Sequence, residues 1–362
     1  MKHNSIRLKE NNFDLLRLLF AGIVVLVHSA EISGFAQLSI LTDFLSSGVA
    51  VKAFFVVSGF LIFMSFERST SLKSYARKRF LRIFPAYFTV VMLCAFCLFL
   101  VSSKSAGEYF SLGWVKYVIA NLAFLNFIQP TLPGVFEANH MSAVNGSLWT
   151  LKLEAAFYVA VPVLVLLFSK FRHLPIIIGV YLFSVAYAEF FSMLAERTGS
   201  GLYAELGRQL PGKLSYFISG AFLYYYLPLS ERRAKVFLAV AAIILGVHTF
   251  FPVPVLEPFA IATVVVFLGL FLYVGNFGKY GDFSYGTYIL HFPIIQVLLF
   301  MGWFQESPWL FLLTTILLTA IGAVIMWNFV EKRFLINKNH SVTPPKALDV
   351  SPAVVVKVDG AA

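Results

Sequence analysis

The sequence predicts an all-α protein, a polytopic transmembrane helix bundle of about ten spans with both termini cytoplasmic. Three observations lead there. Hydrophobic residues make up 59% of the 362 residues and charged residues only 13%, whereas soluble domains carry about 25% charged residues. The apolar residues fall into runs of about twenty, the length a helix needs to cross the hydrocarbon core. The Lys and Arg residues gather in the short segments between those runs. Length alone would allow two soluble domains, but the apolar runs override that prior. Forty phenylalanines suit helices that face lipid. The net charge of +10 reads as a topology signal, and no nucleic-acid partner is expected.

Taken in order, the spans fall near 14–34, 48–66, 83–101, 146–168, 174–194, 212–229, 234–251, 256–275, 284–303 and 308–330. The first is no cleaved signal: it holds Asp14 and Arg17, and many more spans follow. Trp114–Ile128 is short and contains Lys116 and Asn121, which predicts an interfacial or re-entrant segment. With the N-terminus inside, cytoplasmic segments hold twenty Lys/Arg and outer segments five. That bias places both termini in the cytoplasm. The longest loop, about 102–145, then lies outside, and its length suggests a lid or acceptor site. Residues 1–337 read as one membrane bundle, and 338–362, without periodic pattern, as a disordered cytoplasmic tail. Cys94 and Cys97 lie inside an apolar run and read as packing residues rather than a redox pair.

Ionisable residues inside spans are costly and face a partner or a wet cavity, so they are the first place to look for chemistry. Arg17 and His28 are eleven positions apart. At 100° per residue they share one helix face to within about 20°, separated by about 16 Å along the axis. Asp14 lies a turn below Arg17 on nearly the same stripe and could pair with it at the interface. The basic run Arg77-Lys78-Arg79-Phe80-Leu81-Arg82 stands at the cytoplasmic mouth of the third span. It is a topology signal, and its Arg79/Arg82 pair also suits phosphate groups. The segment Gly146-Ser147-Leu148-Trp149-Thr150-Leu151-Lys152-Leu153-Glu154, followed by Phe157 and Tyr158, carries Glu154 to the estimated depth of His28. Glu154 could orient that histidine, or could offset Lys152 or Lys52. Ser58 and Gly59 offer close helix packing. His291, in a span kinked by Pro293, falls in the inner half of its span and is not expected to meet His28. No P-loop, HExxH, GxSxG or paired zinc-ligand spacing occurs.

Together these stretches resemble the acyltransferase-3 family of membrane O-acyltransferases. The resemblance rests on FDLLRLLFAGIVVLVH, FFVVSGFLI, RKRFLRIFPAY, GSLWTLKLEAAFY and SYGTYILHFP, in that order from about 13 to 334. It implies a ten-helix bundle in a bacterial cytoplasmic (inner) membrane. Such a protein moves an acyl group, usually acetyl, from cytoplasmic acyl-CoA to a hydroxyl of a cell-surface or lipid-linked glycan, as in lipopolysaccharide or exopolysaccharide biosynthesis. The resemblance implies acyl-CoA as donor substrate and no metal. It implies a glycan or lipid-linked oligosaccharide as acceptor and the bilayer as surroundings, with room for other glycan-assembly proteins as partners. By position, Arg17, His28 and Glu154 match the family's catalytic set, and Arg79, Arg82 and Arg17 its donor-binding set. Asp14, His291, Trp149 and Tyr158 are supporting candidates. Lys52 departs from the family pattern and leaves the local charge pairing open. A permease for a glycan or small anionic solute is the rival class, since intramembrane Arg, Glu and His suit it equally. The chain shows no repeated halves of the kind such proteins carry.

Overall fold

The computed structural model describes Leu8 and residues 10–335; the tail expected at 338–362 lies outside the described residues. Those residues form helices and loops with no strand. Twelve helices organise them: α1 (Phe13–Ser33), α2 (Ser47–Glu67), α3 (Leu72–Cys97), α4 (Leu112–Leu122), α5 (Trp149–Lys170), α6 (His173–Thr198), α7 (Gly201–Gly207), α8 (Leu210–Tyr225), α9 (Ala234–Phe250), α10 (Glu257–Leu270), α11 (Ser284–Met301) and α12 (Pro308–Met326). Short helical segments join some of them, and α12 continues through a π-helical turn, Trp327–Glu331. Seven helices are long and apolar enough to cross a membrane: α1, α2, α3, α5, α6, α11 and α12, several with short helical extensions. The chain is a multi-pass membrane protein. Three of the expected spans fold into shorter helices, α8, α9 and α10, of 16, 17 and 14 residues. At 1.5 Å per residue they reach about 21–26 Å, less than the roughly 30 Å hydrocarbon core. The segment 114–128 begins within the 11-residue α4, which is too short to span, as its polar residues predict.

Local signals set the helix ends. Ser46 and Ser71 accept hydrogen bonds from the backbone N–H groups of Val49 and Ser74, capping α2 and α3. Gly34 closes α1 in the left-handed conformation. Asn12, just before α1, is a latch instead of a cap. Its side chain donates to the carbonyls of Leu268 and Leu272 and accepts from the Val274 N–H. The end of α10 is thereby tied to the start of α1. The expected close packing at Gly59 is present: a Cβ there would overlap the Phe217 carbonyl, and one at Gly220 would overlap that of Val56. This reciprocal contact brings α2 and α8 backbone to backbone.

The long loop at 102–145 is ordered. Ser102 Oγ donates to the Pro133 carbonyl and the Ser103 N–H to that of Gly134. Tyr109 and Trp114 donate to the Ala95 carbonyl at 2.9 and 2.7 Å, and Tyr87 to that of Asn121. Gln296 of α11, fully buried, donates to the carbonyls of Met141 and Ala143 and accepts from Asn139. These bonds hold residues 139–145 against α11.

Candidate active site

The helices α1 and α11 run side by side in the same direction, as two contacts along them show. At one end Arg17 Nη1 meets Asp282 Oδ2 at 2.5 Å; toward the other, His28 Nδ1 meets His291 Nε2 at 2.9 Å.

The Arg17 end is a network of charges. Asp282 also pairs with Arg82, and its second oxygen accepts from the Ser284 hydroxyl and N–H. Burial alone would raise the Asp282 carboxyl; Arg17, Arg82 and the Ser284 bonds outweigh it and hold it below the usual carboxylate range. Arg82 reaches Glu331 at 3.6 Å and lies over the Tyr285 ring. Glu331 is 2% exposed, and neither carboxyl oxygen has a hydrogen bond among the described residues. Arg17 thus pairs with Asp282 rather than with Asp14, which makes no ion pair among the described residues. Arg82, a candidate for donor phosphates, is committed to two carboxylates. Arg79 is less committed: Nη2 donates to Ser65 Oγ at 3.0 Å, its guanidinium lies over the Tyr158 ring, and its buried Nε has no partner.

Beside this network is a cavity lined by Arg17, Ser58, Thr150, Glu154, Ser284 and Tyr288, with apolar residues of α2. It is small, about 50 Å³. Tyr158 donates to Glu154 Oε1 at 2.7 Å, so Arg79, Tyr158 and Glu154 form a chain into it. Ser58 faces this cavity while its neighbour Gly59 makes the helix crossing. Glu154 is therefore grouped with Arg17, and no hydrogen bond joins it to either histidine. Ser147, which touches His291, precedes it by seven residues, about 10 Å along a helix. Lys52 and Lys152, its possible partners, are engaged elsewhere: Lys52 with Glu257 at 2.6 Å, Lys152 over the Phe127 ring at 4.6 Å. Trp149 packs against the apolar core shared by α2, α5 and α8.

The expectation that His291 lies too deep to meet His28 is overturned. That expectation assumed that all spans start level. Asp282, just ahead of α11, sits beside Arg17, already a turn into α1, so α11 is raised by about that turn. From there His28 is eleven residues on and His291 nine, about 16 and 13 Å, and the side chains close the gap. His291 is fully buried. Its Nδ1 lies 3.3 Å from the Thr287 carbonyl and its Nε2 3.2 Å from Ser147 Oγ. A carbonyl only accepts, so His291 Nδ1 carries the hydrogen and Nε2 is an acceptor. His28 Nδ1 must then be the donor of the 2.9 Å bond, and His28 Nε2 is left with the lone pair.

Pro293 explains the placement of Ser147. Proline has no N–H to give the carbonyl four residues back. That carbonyl, of Ile289, accepts from Asn145 Nδ2 at 2.9 Å, and Asn145 Oδ1 accepts from the Ser147 N–H. The freed carbonyl anchors the turn that holds Ser147 on His291. Sequence reading missed Asp282, Glu331, Asn145 and Ser147. Asp282 had a usable signal, an acid just ahead of a span in a chain with an unmatched buried arginine. Glu331 had the same signal at the end of the last span.

The acyltransferase-domain profile matches residues 10–328. The chain belongs to the acyltransferase-3 family. An O-acetyl transferase of Shigella phage Sf6 is 28% identical over 339 residues, covering 90% of this chain and 96% of that protein. Nodulation protein 10 of Rhizobium leguminosarum bv. viciae is 26% identical, covering 89% and 92%. A Streptomyces mycarofaciens acyltransferase is 26% identical over a shorter stretch, 41% of this chain and 37% of its own. No solved structure matches. This acyltransferase is an enzyme of the membrane, and its described residues form a helical bundle.

Proposed function

We propose that this acyltransferase moves an acetyl group from acetyl-CoA, bound at the Arg79 end of the bundle, to a hydroxyl of a cell-surface or lipid-linked glycan at the His28 end. The observation that carries the reading is the fixed tautomer of His28, whose Nε2 lone pair is set by the chain through His291 to the Thr287 carbonyl. A neutral imidazole held this way is a general base. His28 Nε2 takes the acceptor hydroxyl proton as the oxygen attacks the thioester carbonyl; the C–S bond breaks, and the protonated His28 returns the proton to the departing thiolate. His291 and Ser147 position His28. Arg79, with a spare N–H, holds donor phosphate, and Arg17 and Glu154 line the way between. Acetyl as the group transferred draws support from the printed name of the Sf6 relative. The membrane is, in this reading, the cytoplasmic membrane of a bacterium, and the donor enters from the cytoplasm.

The test is radiolabelled acetyl transfer by purified protein, from acetyl-CoA to glycan acceptor. The wild type should label the glycan and His28→Ala should not, at equal yield and unfolding temperature. Full labelling by His28→Ala would remove His28 from the mechanism. Movement of unmodified glycan across vesicles without labelling would favour the permease class.

A further inference from the structure

A second cavity, about 350 Å³, lies between α6, α7, α8 and the start of α10, and touches α2 at Lys52, on another face of that helix from the Arg17–Glu154 cavity. Its volume is at the lower end of the range for small-molecule sites, about 300–1,000 Å³. Small residues create it: Ala188, Ser192 and Ala195 recur on one face of α6, opposite Gly207 and Gly212, where the rest of the bundle is packed with aromatic rings.

Its walls are charged with both signs. Glu257 is satisfied, accepting from Lys52 at 2.6 Å and from Tyr216 at 2.8 Å, with His248 Nε2 at 4.0 Å. Lys213, a half-buried wall residue, makes no hydrogen bond or ion pair among the described residues. Arg208 and Glu189 at the rim have no side-chain partner there either, and Glu196 has only a distant Ser192 hydroxyl at 3.5 Å. A charged side chain within a membrane bundle faces a partner or a wet cavity, and this one offers a cation inside with two carboxylates at the mouth. The cavity opens at the His28 end. Glu257 begins α10, whose other end is tied to Asn12 at the start of α1.

We propose that this cavity holds one acidic sugar unit, its anionic group on Lys213 and Arg208 and its ring hydroxyls donating to Glu189 and Glu196. The proposal rests on the reading that the acceptor is a glycan, and it adds that the acceptor chain is gripped away from the reacting hydroxyl. The recognised chemistry is an anion on a polyhydroxylated ring, either a uronate or a sugar phosphate.

Equilibrium dialysis with purified protein in detergent tests it, with labelled glucuronate and glucose 1-phosphate as probes and glucose as the neutral control. At least one acid should bind saturably, with glucose about tenfold weaker, the loss expected for one charge-assisted hydrogen bond. Lys213→Gln should weaken the acid about tenfold, Lys213→Arg should retain it, and Ala195→Leu, which fills the space, should abolish it. His28→Ala should bind as the wild type does. Equal binding of glucose and both acids, or wild-type affinity in Lys213→Gln and Ala195→Leu together, would overturn the proposal. Because binding is read without acyl transfer, its failure leaves the His28 assignment standing, and an active His28→Ala enzyme leaves the binding result standing.

Discussion

The two ends of the α1–α11 pair are built from different chemistry. Around Arg17, four charged residues (Arg17, Arg82, Asp282 and Glu331) lie together near the start of both helices. Around His28, eleven residues farther along, polar groups form a neutral chain from the Thr287 carbonyl through two imidazoles. The difference follows from the cost of charge in an apolar bundle. Formal charges are tolerated where opposite charges can gather, with loop 276–283 supplying the carboxylate. Deeper along the bundle, a hydrogen-bonded chain can hold and hand over a proton without fixing a net charge. One end is built to be stable as ions; the other, in the proposed reaction, changes its protonation.

The largest expected effect removes the reacting end. His28→Ala should lower acetyl transfer by about 10²–10⁴-fold, the range for loss of a general base, with the unfolding temperature in detergent unchanged. Asp282→Asn should do the reverse, leaving Arg17 without a carboxylate and Arg82 with Glu331 alone, at a cost of about 3–5 kcal/mol, read as a lowered denaturation midpoint. If Asp282→Asn cost activity but no stability, the division between the two ends would fail. Next, His291→Gln should lower the rate by about 10²-fold and change the shape of the pH–rate profile, because the tautomer of His28 is no longer fixed. A loss of stability with an unchanged profile would instead make His291 a packing residue. Asn145→Ala leaves the Ile289 carbonyl unpaired, a cost of about 1–3 kcal/mol, measurable as a lowered denaturation midpoint.

Titration gives a further and smaller effect. The Asp282 carboxyl is depressed below its ordinary value of 3.8. Its contribution is therefore complete above that value and is lost only as pH falls below it, toward the depressed folded-state value. Unfolding midpoints of the wild type should show no loss from this group between pH 7 and about 4. A marked loss in that window that Asp282→Asn removes would contradict the pairing.

Much of the site could be read from the chain because it depends on spacing within single helices. Arg17 and His28 are placed on one face by the 3.6-residue period alone. The basic run before Pro85 and the Glu154–Tyr158 pair, one turn apart, are local in the same way. The errors came from registry between helices. His291 stands higher than a common starting level for every span predicts, and Glu154 lies beside Arg17 rather than His28 for the same reason. A helix period says which residues share a face and nothing about how far one helix slides along its neighbour.

The sequence by itself determined that the protein is a helical membrane bundle, that it resembles the acyltransferase-3 family, and which residues carry charge into the bundle. Those properties follow from hydropathy, loop charge and local periodicity, each of which acts within about twenty residues. Only the tertiary structure decided which charges meet. It gave Arg17 the carboxylate of Asp282, 265 residues away in sequence, joined His28 to His291 across 263, and took Lys52 from Glu154 to Glu257. Such pairings depend on the vertical offset and rotation of packed helices, which side-chain contacts along their whole length set together.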